Sequence, residues 1–170
     1  MKSTTIITVL AAVLVFAGLF AWGYAGKGGT AASVQNVGGS SAGGLLAASE
    51  LLYDFGTISM KNGDVSHDFT ITNPTSKDIM VPTLVTSCMC TTAFIVEPDG
   101  SAKGPFRMPG MGYVPPANEL IKAGESRTIR VIYNPNAHGP AGVGRINRFA
   151  ILTDESGNTL QLEVKAVVTP

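Results

Sequence analysis

Between residues 159 and 169 apolar and polar side chains alternate without a break, with Leu160, Leu162, Val164, Ala166 and Val168 set against Gln161, Glu163 and Lys165. A period of two places these sets on opposite faces of one strand, whereas a helix would scatter both around its circumference. The pattern recurs. Residues 65–73 put Val65, His67, Phe69 and Ile71 on one face and Ser66, Asp68, Thr70 and Thr72 on the other, and residues 127–133 group Ile129, Val131 and Tyr133. Residues 53–58, 79–86 and 148–153 complete the clear set, and a further short strand is predicted at 92–96. No stretch of this region sustains a helical period, and Gly and Pro punctuate it, which argues against a helical bundle or a parallel sheet. About seven short strands, each with one wet face, predict an all-β antiparallel sandwich. Turns are expected at Asn73-Pro74-Thr75-Ser76 and Lys122-Ala123-Gly124-Glu125, and a hairpin loop at residues 154–158. Residues 97–118, with Pro98, Pro105, Pro109, Pro115 and Pro116 and four glycines, break the rhythm and read as a long loop of the kind that carries function.

The amino-terminal part follows another rule. Residues 3–26 carry no charge, and the apolar run from Thr5 to Tyr24 meets the ~20 residues needed to cross a bilayer core. A transmembrane or signal helix is therefore predicted over residues 1–25. Gly23 and Ala25 supply the small residues of a cleavage site, but the run is long for a secretory core, and Trp22 and Tyr24 fall where an interfacial aromatic belt would lie. A retained anchor is the favoured reading. The absence of cysteine near residue 25 argues against a lipoprotein. Residues 26–48, built from Gly, Ala and Ser without a carboxylate, read as a flexible linker with a reach of about 25 Å. Residues 49–170 remain, enough for one domain with one core. This organisation predicts a single-pass protein of the cell membrane, with the membrane as a partner through its helix and the domain on the extracytoplasmic side. A secreted or periplasmic product is the alternative if the leader is cut.

Twelve basic and twelve acidic residues cancel and are scattered, so the chain has no electrostatic footprint for nucleic acid. No Gly-rich phosphate loop, nucleophile elbow or zinc-protease helix motif is present, and the carboxylates are not paired for hydrolysis. A non-catalytic role is expected.

Both cysteines lie one residue apart in Thr86-Ser87-Cys88-Met89-Cys90-Thr91-Thr92. In a regular strand residues i and i+2 share a face with Cα atoms about 6.5 Å apart. A disulfide between them requires the chain to turn or bulge. Three readings stay open: buried thiols or a local disulfide pinning the strand end, a soft-metal site, and thiol redox exchange. For the metal, thiolates and thioethers suit Cu(I), and Met89, Met108 and Met111 are candidate accessory ligands if the long loop folds back over Cys88 and Cys90. Redox exchange ordinarily uses two intervening residues at a helix terminus, unlike this spacing. His67, on the apolar face of its strand, reads as a hydrogen-bonded histidine at a sandwich edge, and His138 as a residue of a turn-rich loop. Either adds a ligand only if the fold brings it to the cysteines.

Four segments resemble one bacterial family, the "domain of unknown function 1573" proteins. They are Tyr53-Asp54-Phe55-Gly56-Thr57-Ile58, His67-Asp68-Phe69-Thr70-Ile71-Thr72-Asn73, the cysteine segment, and Ala123-Gly124-Glu125-Ser126 before an apolar strand. The resemblance spans roughly residues 51–168 and implies an immunoglobulin-like sandwich akin to ASH and PapD-like modules, extracytoplasmic and usually non-enzymatic. The family usually has Gly between its cysteines, and Met89 departs from that pattern. The expected function is a membrane-tethered module that binds or supports an envelope protein, with copper binding through the Cys-Met-Cys segment as the alternative.

Overall fold

Alternation becomes strand pairing throughout residues 45–170, the part of the chain that the computed structural model describes. In chain order the strands are β1 (Ala47–Ala48), β2 (Leu52–Ser59), β3 (Val65–Thr72), β4 (Ile79–Val81), β5 (Thr83–Thr86) and β6 (Thr91–Val96). They continue with β7 (Ala102–Phe106), β8 (Glu119–Ile121), β9 (Ser126–Tyr133), β10 (Gly144–Thr153) and β11 (Thr159–Thr169). One sheet has the order β1-β3-β9-β6-β7, a second the order β2-β11-β10-β5, and β4 pairs with β8 in a two-stranded ribbon. The predicted inward faces meet between the sheets. Phe69, Ile71, Ile129 and Ile95 join Leu84, Leu152, Leu162 and Val164 in one buried cluster, each such side chain contributing about 1.5–3 kcal/mol by leaving water.

The predicted turns form for identifiable reasons. Asn73 is fully buried, its amide donating to the carbonyls of Lys77 and Ile121 while its Oδ1 accepts from Thr75 N. Asp154 organises the β10–β11 hairpin by accepting from Ser156 N and Asn158 N, both at 2.9 Å.

Several expectations are corrected. The sandwich is not antiparallel throughout, since β2 runs parallel to β11. The rest of the domain serves as the long connection a parallel pair needs. The single strand expected over residues 79–86 is broken at Pro82, which has no N–H for a ladder. On either side β4 joins β8 and β5 joins β10, while the Pro82 carbonyl accepts from Ala117 N at 2.8 Å. The long loop contains β7, which extends the first sheet beside β6. The fold also starts before residue 49, because Leu46 is buried and Ala47–Ala48 pair with Thr72 and Ile71.

The membrane helix is corrected as part of this architecture. Among the described residues no helix is long and apolar enough to cross a membrane, and residues 1–25, on which that reading fell, lie outside them. The single-pass topology and the membrane partner are not carried further.

Gly104 marks how closely β7 approaches β6. Its φ is +134°, and a Cβ there would lie 2.9 Å from Phe94 Cδ1 and 3.1 Å from the Ala93 carbonyl oxygen. Gly104→Ala is expected to cost about 1–3 kcal/mol from backbone strain and the clash, measured as a fall in the urea midpoint with unchanged slope.

Candidate metal centre

The cysteine segment lies in the connection from β5 to β6, and it turns rather than continuing as a strand. Thr91 N donates to the Cys88 carbonyl at 3.1 Å, closing a tight turn around Met89 and Cys90. The buried Thr86 hydroxyl bridges it, placed 3.2 Å from the Cys88 carbonyl and 2.9 Å from that of Thr91. The Cα atoms of Cys88 and Cys90 come within 5.2 Å, and the two sulfurs are joined as a disulfide. This is the turn that the strand geometry said such a bond requires.

Two further elements converge there. Thr91 pairs with Tyr133 at the end of β9, and Asn134 N donates to the Cys90 carbonyl at 2.9 Å. The loop leaving β9 therefore starts against the cysteine turn. It folds back through Asn134 Oδ1, which accepts from Asn136 N at 2.7 Å, and brings His138 Nε2 to 3.1 Å from Cys88 Sγ. Cys88, Cys90 and His138 offer ligand atoms all within 4.8 Å of one another, a cluster that can hold a metal ion. From the other sheet, the register Ala150↔Thr86 carries Arg148 alongside the turn, and its Nε points at Cys90 Sγ at 3.2 Å.

Burial is graded across the site. Cys90 is 2% exposed in a small apolar cluster with Ile58, Tyr133, Ile146 and Val168, and Cys88 is half-buried at its margin. Burial pushes the Tyr133 phenol above its ordinary range, with the Arg148 charge pulling the other way. Beside Cys90 opens a cleft of about 370 Å³ lined by Met89, Met111, Arg107 and Asp64, among others.

The structure thus places Met89 and, from the long loop, Met111 in the lining of one cleft with Cys90. Met108 is absent from that lining; its carbonyl accepts from Met111 N at 3.4 Å. His67 lies elsewhere, hydrogen-bonded to Glu50 Oε1 at 2.7 Å and stacked on Tyr53 with ring centroids 3.5 Å apart. Arg148 was not singled out from the sequence, where it reads only as the start of a strand. Its role depends on the β5–β10 register, which the sequence does not display.

This cluster also corrects the functional expectation. The Cys88, Cys90 and His138 arrangement favours the soft-metal alternative over the membrane-held support module.

No curated protein matches the chain. Among solved structures, a protein of unknown function from Porphyromonas gingivalis W83 is similar at 15% identity and a TM-score of 0.52, over 75% of this chain and 49% of that one. The chain therefore spans about half the length of that protein. The ASH/PapD-like domain 7 of human CEP192 is similar at 12% identity and a TM-score of 0.46, over 82% of this chain and 95% of that one. A copper-bound PCuAC domain from PmoF2 is similar at 11% identity and a TM-score of 0.36, over 79% and 100%. The first likeness speaks to the fold alone. Residues 46–101, which contain the first three segments of the resemblance, match the family model described as "Protein of unknown function (DUF1573)", and the family assignment is supported over that part of the chain.

Proposed function

We propose that this domain binds Cu(I) through the thiolates of Cys88 and Cys90 and the imidazole of His138, as a non-catalytic soft-metal module. The observation that carries the reading is the convergence of those three ligand atoms within 4.8 Å. A three-coordinate ion with bonds of about 2.3 Å holds its ligand atoms about 4 Å apart, so the two sulfurs, joined at about 2 Å in a disulfide, part by about 2 Å once reduced, within a turn whose Cα atoms are 5.2 Å apart. Two thiolates and one imidazole form a soft donor set suited to Cu(I).

The sulfurs bind metal only when reduced. A dithiol reductant supplies the two electrons and two protons that convert the Cys88–Cys90 disulfide to two thiols, and itself becomes a disulfide. Metal binding then displaces the thiol protons and uses the unprotonated Nε2 of His138. Thr86 holds the turn that keeps the cysteines together, and the apolar packing around Cys90 limits access of water and oxidants.

The test is metal content. The full chain, reduced and handled without oxygen, is expected to retain about one copper ion per molecule after desalting, and the oxidised chain none. The disulfide itself favours a second reading, a covalent pin for the β5–β6 turn. Some stability is lost on reduction under either reading, and the pin reading is marked by a reduced protein that holds no copper.

Met89 and Met111 provide thioethers at the mouth of the site, 47% and 51% exposed. Replacing both by Leu keeps their apolar bulk, so stability should stay within about 0.5 kcal/mol. Loss of Cu(I) to a competing chelator should become several-fold faster, while Met108→Leu should leave that rate unchanged.

A further inference from the structure

Arg148 has an unusual set of partners. It is half-buried on β10, its Nη1 donates to the Asn147 carbonyl at 2.8 Å, and its Nε is aimed at Cys90 Sγ at 3.2 Å. Among the described residues it makes no ion pair with a carboxylate; Arg107 and Arg145 make none either but are exposed, whereas Arg127 and Arg130 each do. A guanidinium usually finds an anionic acceptor, and a disulfide sulfur is neutral. The acceptor that suits this arrangement is the Cys90 thiolate.

We infer that Arg148 sets the charge of the metal centre and so selects a monovalent soft cation over a divalent one. The inference rests on the Cu(I) reading of the same cluster. Two thiolates, a neutral imidazole and Cu(I) sum to a charge of −1, which the guanidinium at Cys90 neutralises. With Zn(II) in the same ligands the centre is already neutral, and the guanidinium leaves an uncompensated positive charge in a partly buried site. Charge imbalance is costly where the effective dielectric is well below that of water. Sulfur ligands alone bind both ions well, so discrimination has to come from charge and geometry. Arg148 acts through the Cys90 sulfur and is a positioning residue rather than a ligand.

The experiment measures Cu(I) and Zn(II) affinities by chelator competition on the reduced full chain, comparing wild type, Arg148→Gln and Arg148→Lys. Arg148→Gln is expected to weaken Cu(I) binding about tenfold, the size of one charge-assisted hydrogen bond in a half-buried setting, with Zn(II) binding unchanged or stronger. Arg148→Lys keeps the charge and should retain most of the Cu(I) preference, which also guards against a Gln variant that folds poorly. Equal weakening of both metals in Arg148→Gln, or an unaltered ratio of affinities, would overturn the selectivity role while leaving the metal site intact. A wild type that binds neither ion would overturn the metal site and this inference together.

Discussion

Replacing both cysteines by serine, Cys88→Ser with Cys90→Ser, is expected to lower Cu(I) affinity by about a thousandfold or more, because a serine hydroxyl is a hard donor that stays protonated at neutral pH. His138 alone cannot hold the ion. The same variant also loses the Cys88–Cys90 bond, which closes a very short loop, so the entropic part of its stabilisation is about 1–2 kcal/mol. A modest fall in the melting temperature of the oxidised protein should therefore accompany complete loss of copper. Chelator competition reads the first effect and calorimetry the second. Retained copper in the double variant would place the ion elsewhere.

The second large effect is expected at the opposite end of the first sheet, where Glu119 is buried at 3% exposure. Its carboxylate accepts from Arg127 Nε at 2.7 Å and pairs with the Lys103 ammonium, and Glu97 lies against the same two cations. Burial alone pushes the Glu119 carboxyl up, but the hydrogen bonds from Lys103 and Arg127 outweigh it and hold the group below its ordinary value. A carboxyl whose folded pKa lies below its unfolded one binds protons more readily when unfolded. Its contribution is complete above the unfolded value of about 4.3 and is lost as the pH falls through the folded value. Glu119→Gln is expected to cost about 1–3 kcal/mol at pH 7, since it leaves two cations short of their partner. It should also flatten the decline of stability between about pH 5 and pH 3. Urea unfolding at several pH values checks both. A variant with the wild-type acid profile would show that Glu119 does not hold this corner together.

The strands were largely legible because alternation is a local property, and β3, β9 and β11 follow directly from which side chains can share a buried face. Turn chemistry was equally local at Asn73 and Asp154. Pro82 carried a readable signal, the missing N–H, that the apolar character of residues 79–86 masked. Whether β2 pairs parallel or antiparallel is a matter of topology and leaves no mark on its alternation. The centre was half legible. Two cysteines one residue apart and a methionine-bearing loop leave a soft-metal site as one of three open readings, but the third candidate ligand sits fifty residues away and arrives only through the β6–β9 pairing and the turn after Tyr133. Arg148 reaches the sulfur through the β5–β10 register. Neither contact has a sequence periodicity, because each is made by a loop or strand end meeting another element across the sandwich.

The central claim is the ligand set, and X-ray absorption at the copper edge on the reduced, copper-loaded full chain tests it most directly. The account predicts a Cu(I) edge and a coordination shell of two sulfurs and one imidazole nitrogen from Cys88, Cys90 and His138, with the nitrogen lost in His138→Ala. A shell of nitrogen and oxygen only, or a spectrum unchanged by the Cys88→Ser/Cys90→Ser substitutions, would contradict it.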